Sequence, residues 1–289
     1  MEEKLNNNYK VYFYKTIKCM LLYFIVIIPV IYIITGRLKP NVDVYEATTA
    51  FQKQTTYSTV LLGDSVSRQL FNIRNQENSQ YYHLNSNQAI GVIGNYILLN
   101  NYLANNPQTK KVYLIMRPTS FNNNLNQKWT YTYFILPFFK EKNKKYFSET
   151  SLKKLNVKRK LLNKYLLNIF ELNPKLSLLL KIDYSDEMTD IKEAYLSDIS
   201  IEYLKKIKKL LQEKNIEFYV LASPLSIKEK NEYILLRRNI KDNHFEDIFV
   251  YYFDSIQYYS ENNFDDGVHF SKKFLENNRE KIIDNLFRY

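Results

Sequence analysis

Cysteine occurs once in this 289-residue chain, at Cys19, so no intrachain disulfide forms and no thiolate cluster holds a metal. Glycine is scarce too, with five residues, so few positions suit a site that needs a bare backbone. Histidine appears three times; His83 and His244 stand without a partner pattern and read as structural. Zinc, RNP and helix-turn-helix signatures are all missing, which sets nucleic acid aside despite a formal net charge of +11. The basic balance fits a polyanionic surface glycan or an anionic membrane face. What is abundant is aromatic: 26 tyrosines and 18 phenylalanines, in a chain that is 45% hydrophobic and 25% charged. That composition supports one sizeable domain plus an appendage.

Chemistry concentrates at two places. The stretch TVLLGDSVSRQLF, beginning at Thr59, is an apolar strand running through Gly63-Asp64-Ser65 into a helix. A serine there sits where free N–H groups and the helix dipole favour negative charge, as an oxyanion intermediate requires. Far downstream, FDDGVHFS places Asp266 three residues before His269. An acid and a base at that spacing share one tight loop. With Ser65 they point to a Ser-His-Asp hydrolase or acyltransferase, Asp266 fixing the imidazole tautomer and His269 moving the proton. Asp265 competes for the acid role; Asp64 reads as a residue that ties down the serine turn.

The intervening sequence alternates strands and helices. Strands are expected at 59–63, 80–85, 110–118, 216–223 and 249–256, and helices at 66–77, 91–105, 191–214, 226–240 and from Ser271. Five such strands imply an α/β domain with a parallel sheet and helices on both faces. Ligands bind such sheets at the carboxyl ends of the strands, which brings the two motifs to one edge.

The GDS segment and the DxxH segment, in this order, resemble the SGNH (GDSL-like) hydrolase superfamily over residues 57–289. The resemblance implies a three-layer, flavodoxin-like fold of about five strands and a serine esterase or O-acyltransferase that needs no cofactor and no metal. It also implies an oxyanion hole built from the Ser65 N–H, a glycine after the second strand and an asparagine after the third. HLNSNQAIGVIGNY offers Gly91 or Gly94 for the glycine, with Asn87 and Gln88 nearer the family position. The family's GxND is replaced by RPTSFNNN, where Asn122 is preferred over Asn123 and Asn124. Arg117 is a candidate for binding an anionic substrate group, or for a structural ion pair.

Placement comes from the N-terminus. Residues 1–18 carry Lys4, Lys10, Lys15 and Lys18 and read as a cytoplasmic tail; residues 19–35, CMLLYFIVIIPVIYIIT, read as an uncleaved transmembrane anchor. Residues 36–56 are expected to be a polar linker or a short leading segment, and the domain extracytoplasmic. Residues 119–190 form an aromatic and then basic insertion, expected as a helical flap over the core or as a groove whose aromatics meet an acceptor. The expected role is an esterase or O-acetyltransferase on ester groups of a surface glycan, alongside a multi-span membrane O-acyltransferase. The alternative is a catalytically weak scaffold that binds the polymer or that acyltransferase.

Overall fold

The structure, a computed structural model, describes residues 9, 12–27, 42–71, 79–125, 130–155 and 193–288. They belong to two units, an N-terminal one and a larger one that starts at Asn41.

The larger unit is α/β. Its sheet has four parallel strands in the order β2-β1-β3-β4, with β1 Thr59–Gly63, β2 Tyr82–His83, β3 Lys111–Ile115 and β4 Glu217–Leu221. Val60, Leu61, Leu62, Val112, Leu114 and Val220 are fully buried, so the central strands read as continuous apolar runs, as expected for strands covered on both faces. Among the described residues, the α-helices longer than one turn that accompany them are α1 Val42–Ala50, α2 Ser65–Leu70, α3 Gly91–Asn105, α4 Glu149–Leu155, α5 Asp198–Glu213, α6 Ile234–Asp242 and α7 Lys272–Leu286. Leu61, Ile115 and Leu221 share a core with Leu70 of α2 and with Leu275, Ile282 and Leu286 of α7. Across the sheet, α3 and α5 pack on each other and against β1 and β4.

A fifth strand of this sheet, expected at 249–256, does not form. Residues 246–255 run as turns, and β5 Leu225–Ser226 pairs with β6 Tyr258–Tyr259 in a separate two-stranded sheet. Burial explains the difference. Phe245, Ile248, Phe249 and Tyr252 are the buried apolar positions, a spacing of three, one and three that a strand's two-residue alternation does not produce. Val220 N–H still donates to Ile248 C=O at 2.7 Å, so this segment lies beside β4. The Tyr252 hydroxyl donates to Met116 C=O at 3.0 Å. Its burial raises its pKa, which keeps it protonated.

Two other expectations narrow. Of the two readings of residues 36–56, the described part, 42–56, fits the leading segment and not the linker: Val44, Ala47, Ala50 and Phe51 are buried, and Asn106 Nδ2 donates to Lys53 C=O. The helix expected at 66–77 starts at Ser65 and ends at Leu70, where Phe71 departs from helical angles and enters the core; residues 72–78 lie outside the described set. In the insertion, Phe134 and Phe138 are fully buried and stack at 5.5 Å, while Phe147 packs on Phe134. These rings belong to the core, not to an open groove. Residues 126–129 and 156–192 are outside the described set.

In the N-terminal unit, residues 12–27 are helical, with Leu21, Leu22, Phe24 and Ile25 exposed. Among the described residues no helix is long and apolar enough to cross a membrane; residues 28–35 of the expected 19–35 span are outside them.

Candidate active site

The turn that carries Ser65 is built by Gly63 and Asp64. A Cβ on Gly63 would lie 2.2 Å from Ile115 C=O and 2.3 Å from Ser67 Oγ, so β1 can approach β3 here only with glycine. Asp64, 1% exposed, then caps α2: its Oδ1 accepts from the Val66 and Ser67 N–H groups, each at 3.1 Å. The same carboxylate accepts from Arg117 N–H at 2.7 Å, Ser120 Oγ at 3.1 Å and Ser223 Oγ at 3.0 Å. One buried acid therefore gathers the carboxyl ends of β1, β3 and β4. It also leaves the Ser65 N–H as the donor of the first turn not bound to it.

Ser65 opens α2, and its Oγ lies 2.8 Å from His269 Nε2. His269 Nδ1 is 2.7 Å from Asp266 Oδ2. Asp266 also shapes its own loop, because Oδ1 accepts from the Val268 and His269 N–H groups at 2.9 and 2.7 Å. Burial alone would raise the Asp266 pKa, but the hydrogen bonds from the His269 ring and these two amides outweigh it and hold the carboxyl at about 2. The acid therefore stays ionised beside the imidazole. Gly267 takes a φ of +79°, with nothing within 4 Å of where a Cβ would stand, so the loop tip is open. The side chains of His269 and Asp266 are 35% and 56% exposed, which makes the site reachable by a large substrate. Asp265 does not replace Asp266; its N–H donates to His269 C=O.

The other sequence candidates are occupied elsewhere. Asn122 Nδ2 donates to Glu193 C=O at 3.0 Å and its Oδ1 accepts from Tyr195 N–H at 2.8 Å, so its amide fastens the strand-to-helix approach to α5 and does not serve an oxyanion. The Gly91 N–H closes a 3-10 turn onto Gln88 C=O, and its φ of +58° with Asn123 3.1 Å from a would-be Cβ accounts for the glycine. Gly94 is a packing glycine against Ile90. Asn87 caps the 3-10 turn through Ala89 N–H, Asn123 donates to Gln88 and Ala89 C=O, and Asn124 accepts from Lys154. Arg117 is 7% exposed and its guanidinium pairs with Glu229, the ion-pair alternative. His83 is buried with Nε2 2.6 Å from Ser79 Oγ, and His244 lies in a turn after α6.

Sequence reasoning passed over Ser120, Ser223, Gln69 and Glu229. The first two could have been found from position alone, since each follows a sheet strand by a few residues at the edge that carries Ser65. Among the described residues no cluster of His, Cys, Asp and Glu has the makings of a metal site. A cavity of about 170 Å³ lies by Lys111, Tyr113, Tyr219 and Phe287, and no triad residue lines it. Searches of protein-family models, curated proteins and solved structures return no match to this chain.

Proposed function

We propose that this chain is an SGNH-type serine esterase or O-acyltransferase that works on ester groups of a cell-surface polysaccharide. The observation that carries the reading is the relay Ser65 Oγ–His269 Nε2–Asp266, with contacts of 2.8 and 2.7 Å. The strand order 2-1-3-4 supports a flavodoxin-like, three-layer fold, whose ligand site lies where the order reverses beside the first strand. Ser65 follows that strand.

In the mechanism, Ser65 Oγ attacks the ester carbonyl while His269 Nε2 takes its proton. Asp266 holds the Nδ1–H and stabilises the imidazolium. His269 then gives the proton to the departing alkoxide, leaving an acyl-Ser65. Water or a sugar hydroxyl, deprotonated by the same imidazole, attacks that acyl group and frees the serine; the first outcome is hydrolysis and the second transfer. The Ser65 N–H is the oxyanion donor this geometry offers. The exposure of His269 and Asp266 favours a polymer over a small enclosed ester. The apolar run at 19–35, after a basic tail, supports an anchor that keeps the domain outside the cytoplasm near such a polymer.

One observation favours the scaffold alternative. Asn122 and Gly91 are both engaged elsewhere, so the second and third oxyanion donors are not in place, as in a protein that holds a polymer or a multi-span O-acyltransferase without turning over. Turnover of an activated acetyl ester by the full-length chain, compared with Ser65→Ala and His269→Ala, separates the two. Equal rates in all three proteins would remove the enzyme reading.

A further inference from the structure

Ser65 and Gln69 stand one helical turn apart on α2, and therefore on the same face. Opposite them, His269 and Phe270 are consecutive in the loop. Gln69 Nε2 donates to Phe270 C=O at 3.3 Å, and Gln69 Oε1 accepts from Phe270 N–H at 3.0 Å. The Ser65–His269 contact and the Gln69–Phe270 pair are thus two neighbouring rungs between one helix and one loop.

The other hydrogen bonds of this loop run within it or, through the Ser271 cap, to α7. Asp266 binds the amides of Val268 and His269, Asp265 N–H donates to His269 C=O, and Ser271 N–H donates to Asn263 C=O. Phe264 and Phe270 bridge across the loop and stack at 4.6 Å. These bonds shape the loop and join it to α7, and none of them reaches α2 directly. The Phe270 ring, 1% exposed, joins a core cluster with Leu70 and Phe71, which anchors the loop without fixing its register by hydrogen bonds. Near its tip, Gly267 has open space around it.

We propose that Gln69 is a positioning residue that sets the Ser65–His269 distance by clamping the Phe270 backbone. This rests on the triad reading above. The dependence is steep, because a displacement of about 1 Å between reacting groups costs on the order of a hundredfold in rate. The clamp needs one donor and one acceptor on a side chain of fixed length, which glutamine supplies.

The test compares Gln69→Met, of similar length and helix propensity but without hydrogen bonds, with Ile282→Ala, which weakens the same core cluster from α7 and leaves the clamp untouched. In the full-length chain, Gln69→Met should slow acylation of Ser65 by an activated acetyl ester by roughly tenfold to a hundredfold with little change in KM. It should also speed hydrogen exchange of the Phe270 amide and leave Tm within a few degrees of wild type. Ile282→Ala should do the reverse, lowering Tm while the folded protein acylates within about threefold of wild type. Wild-type acylation in Gln69→Met, or a loss that only tracks the unfolded fraction, overturns the proposal. If wild-type Ser65 does not acylate, the triad reading fails on its own; an unchanged Phe270 amide in Gln69→Met would then still overturn the clamp, and a faster one would uphold it.

Discussion

The backbone N–H of Arg117 donates to Asp64 Oδ2 at 2.7 Å across 53 positions of sequence. This bond, with those from Ser120 and Ser223, makes a single carboxylate the junction of three strand ends beneath Ser65. Asp64→Asn would turn an NH2 group toward donors that need an acceptor. Each buried donor left unpaired costs about 1–3 kcal/mol, so a loss of roughly 2–4 kcal/mol is expected in denaturant unfolding. Ser65 acylation should fall as well, since the serine turn is capped by the same group.

Gly63→Ala tests the close approach of β1 to β3. The added methyl would meet the Ile115 carbonyl and the Ser67 hydroxyl well inside van der Waals contact. Overpacking of that kind costs about 1–3 kcal/mol, and here backbone has to move. The urea midpoint should drop with the m-value unchanged.

Glu229→Gln tests the Arg117 pairing. Among the described residues Arg117 Nε has no hydrogen-bond partner, and Glu229 is the carboxylate paired with the guanidinium. Removing one member of a buried pair strands the other, and a loss of about 2–3 kcal/mol is expected, Glu229 being partly exposed. Arg117→Met in the same chain should recover part of it, measured as a double-mutant cycle.

Asp266 gives a pH signature. Its folded-state pKa, held at about 2, lies below its unfolded value of roughly 3.9, so the stability it contributes is fully present above pH 4. That contribution is lost as pH falls from about 4 toward 2. Asp266→Asn should flatten the stability profile in this window and, by mis-setting the imidazole tautomer, slow acylation on the order of a thousandfold or more at neutral pH.

Much of this arrangement is legible in the sequence. Strands rich in Val, Leu and Ile separated by amphipathic helices give the α/β alternation, and the DxxH spacing gives an acid and a base on one loop. The turn segment 246–255 misled because Phe249, Tyr251 and Phe253 look like one face of a strand, while tertiary packing selects Phe245, Ile248, Phe249 and Tyr252. Asn122 misled because residue type shows that an amide is present, not where its two ends bond. Gln69 was silent for a related reason: its partner is a backbone 201 positions away, and a backbone leaves no mark in sequence.

The central claim is that Ser65 is a nucleophile activated by His269. Peptide mass mapping of the full-length chain after brief incubation with an activated acetyl ester tests it most directly. The expected result is one acetyl group on the peptide holding Ser65, absent in Ser65→Ala and strongly reduced in His269→Ala. Acetylation confined to lysines, identical in all three proteins, would contradict it.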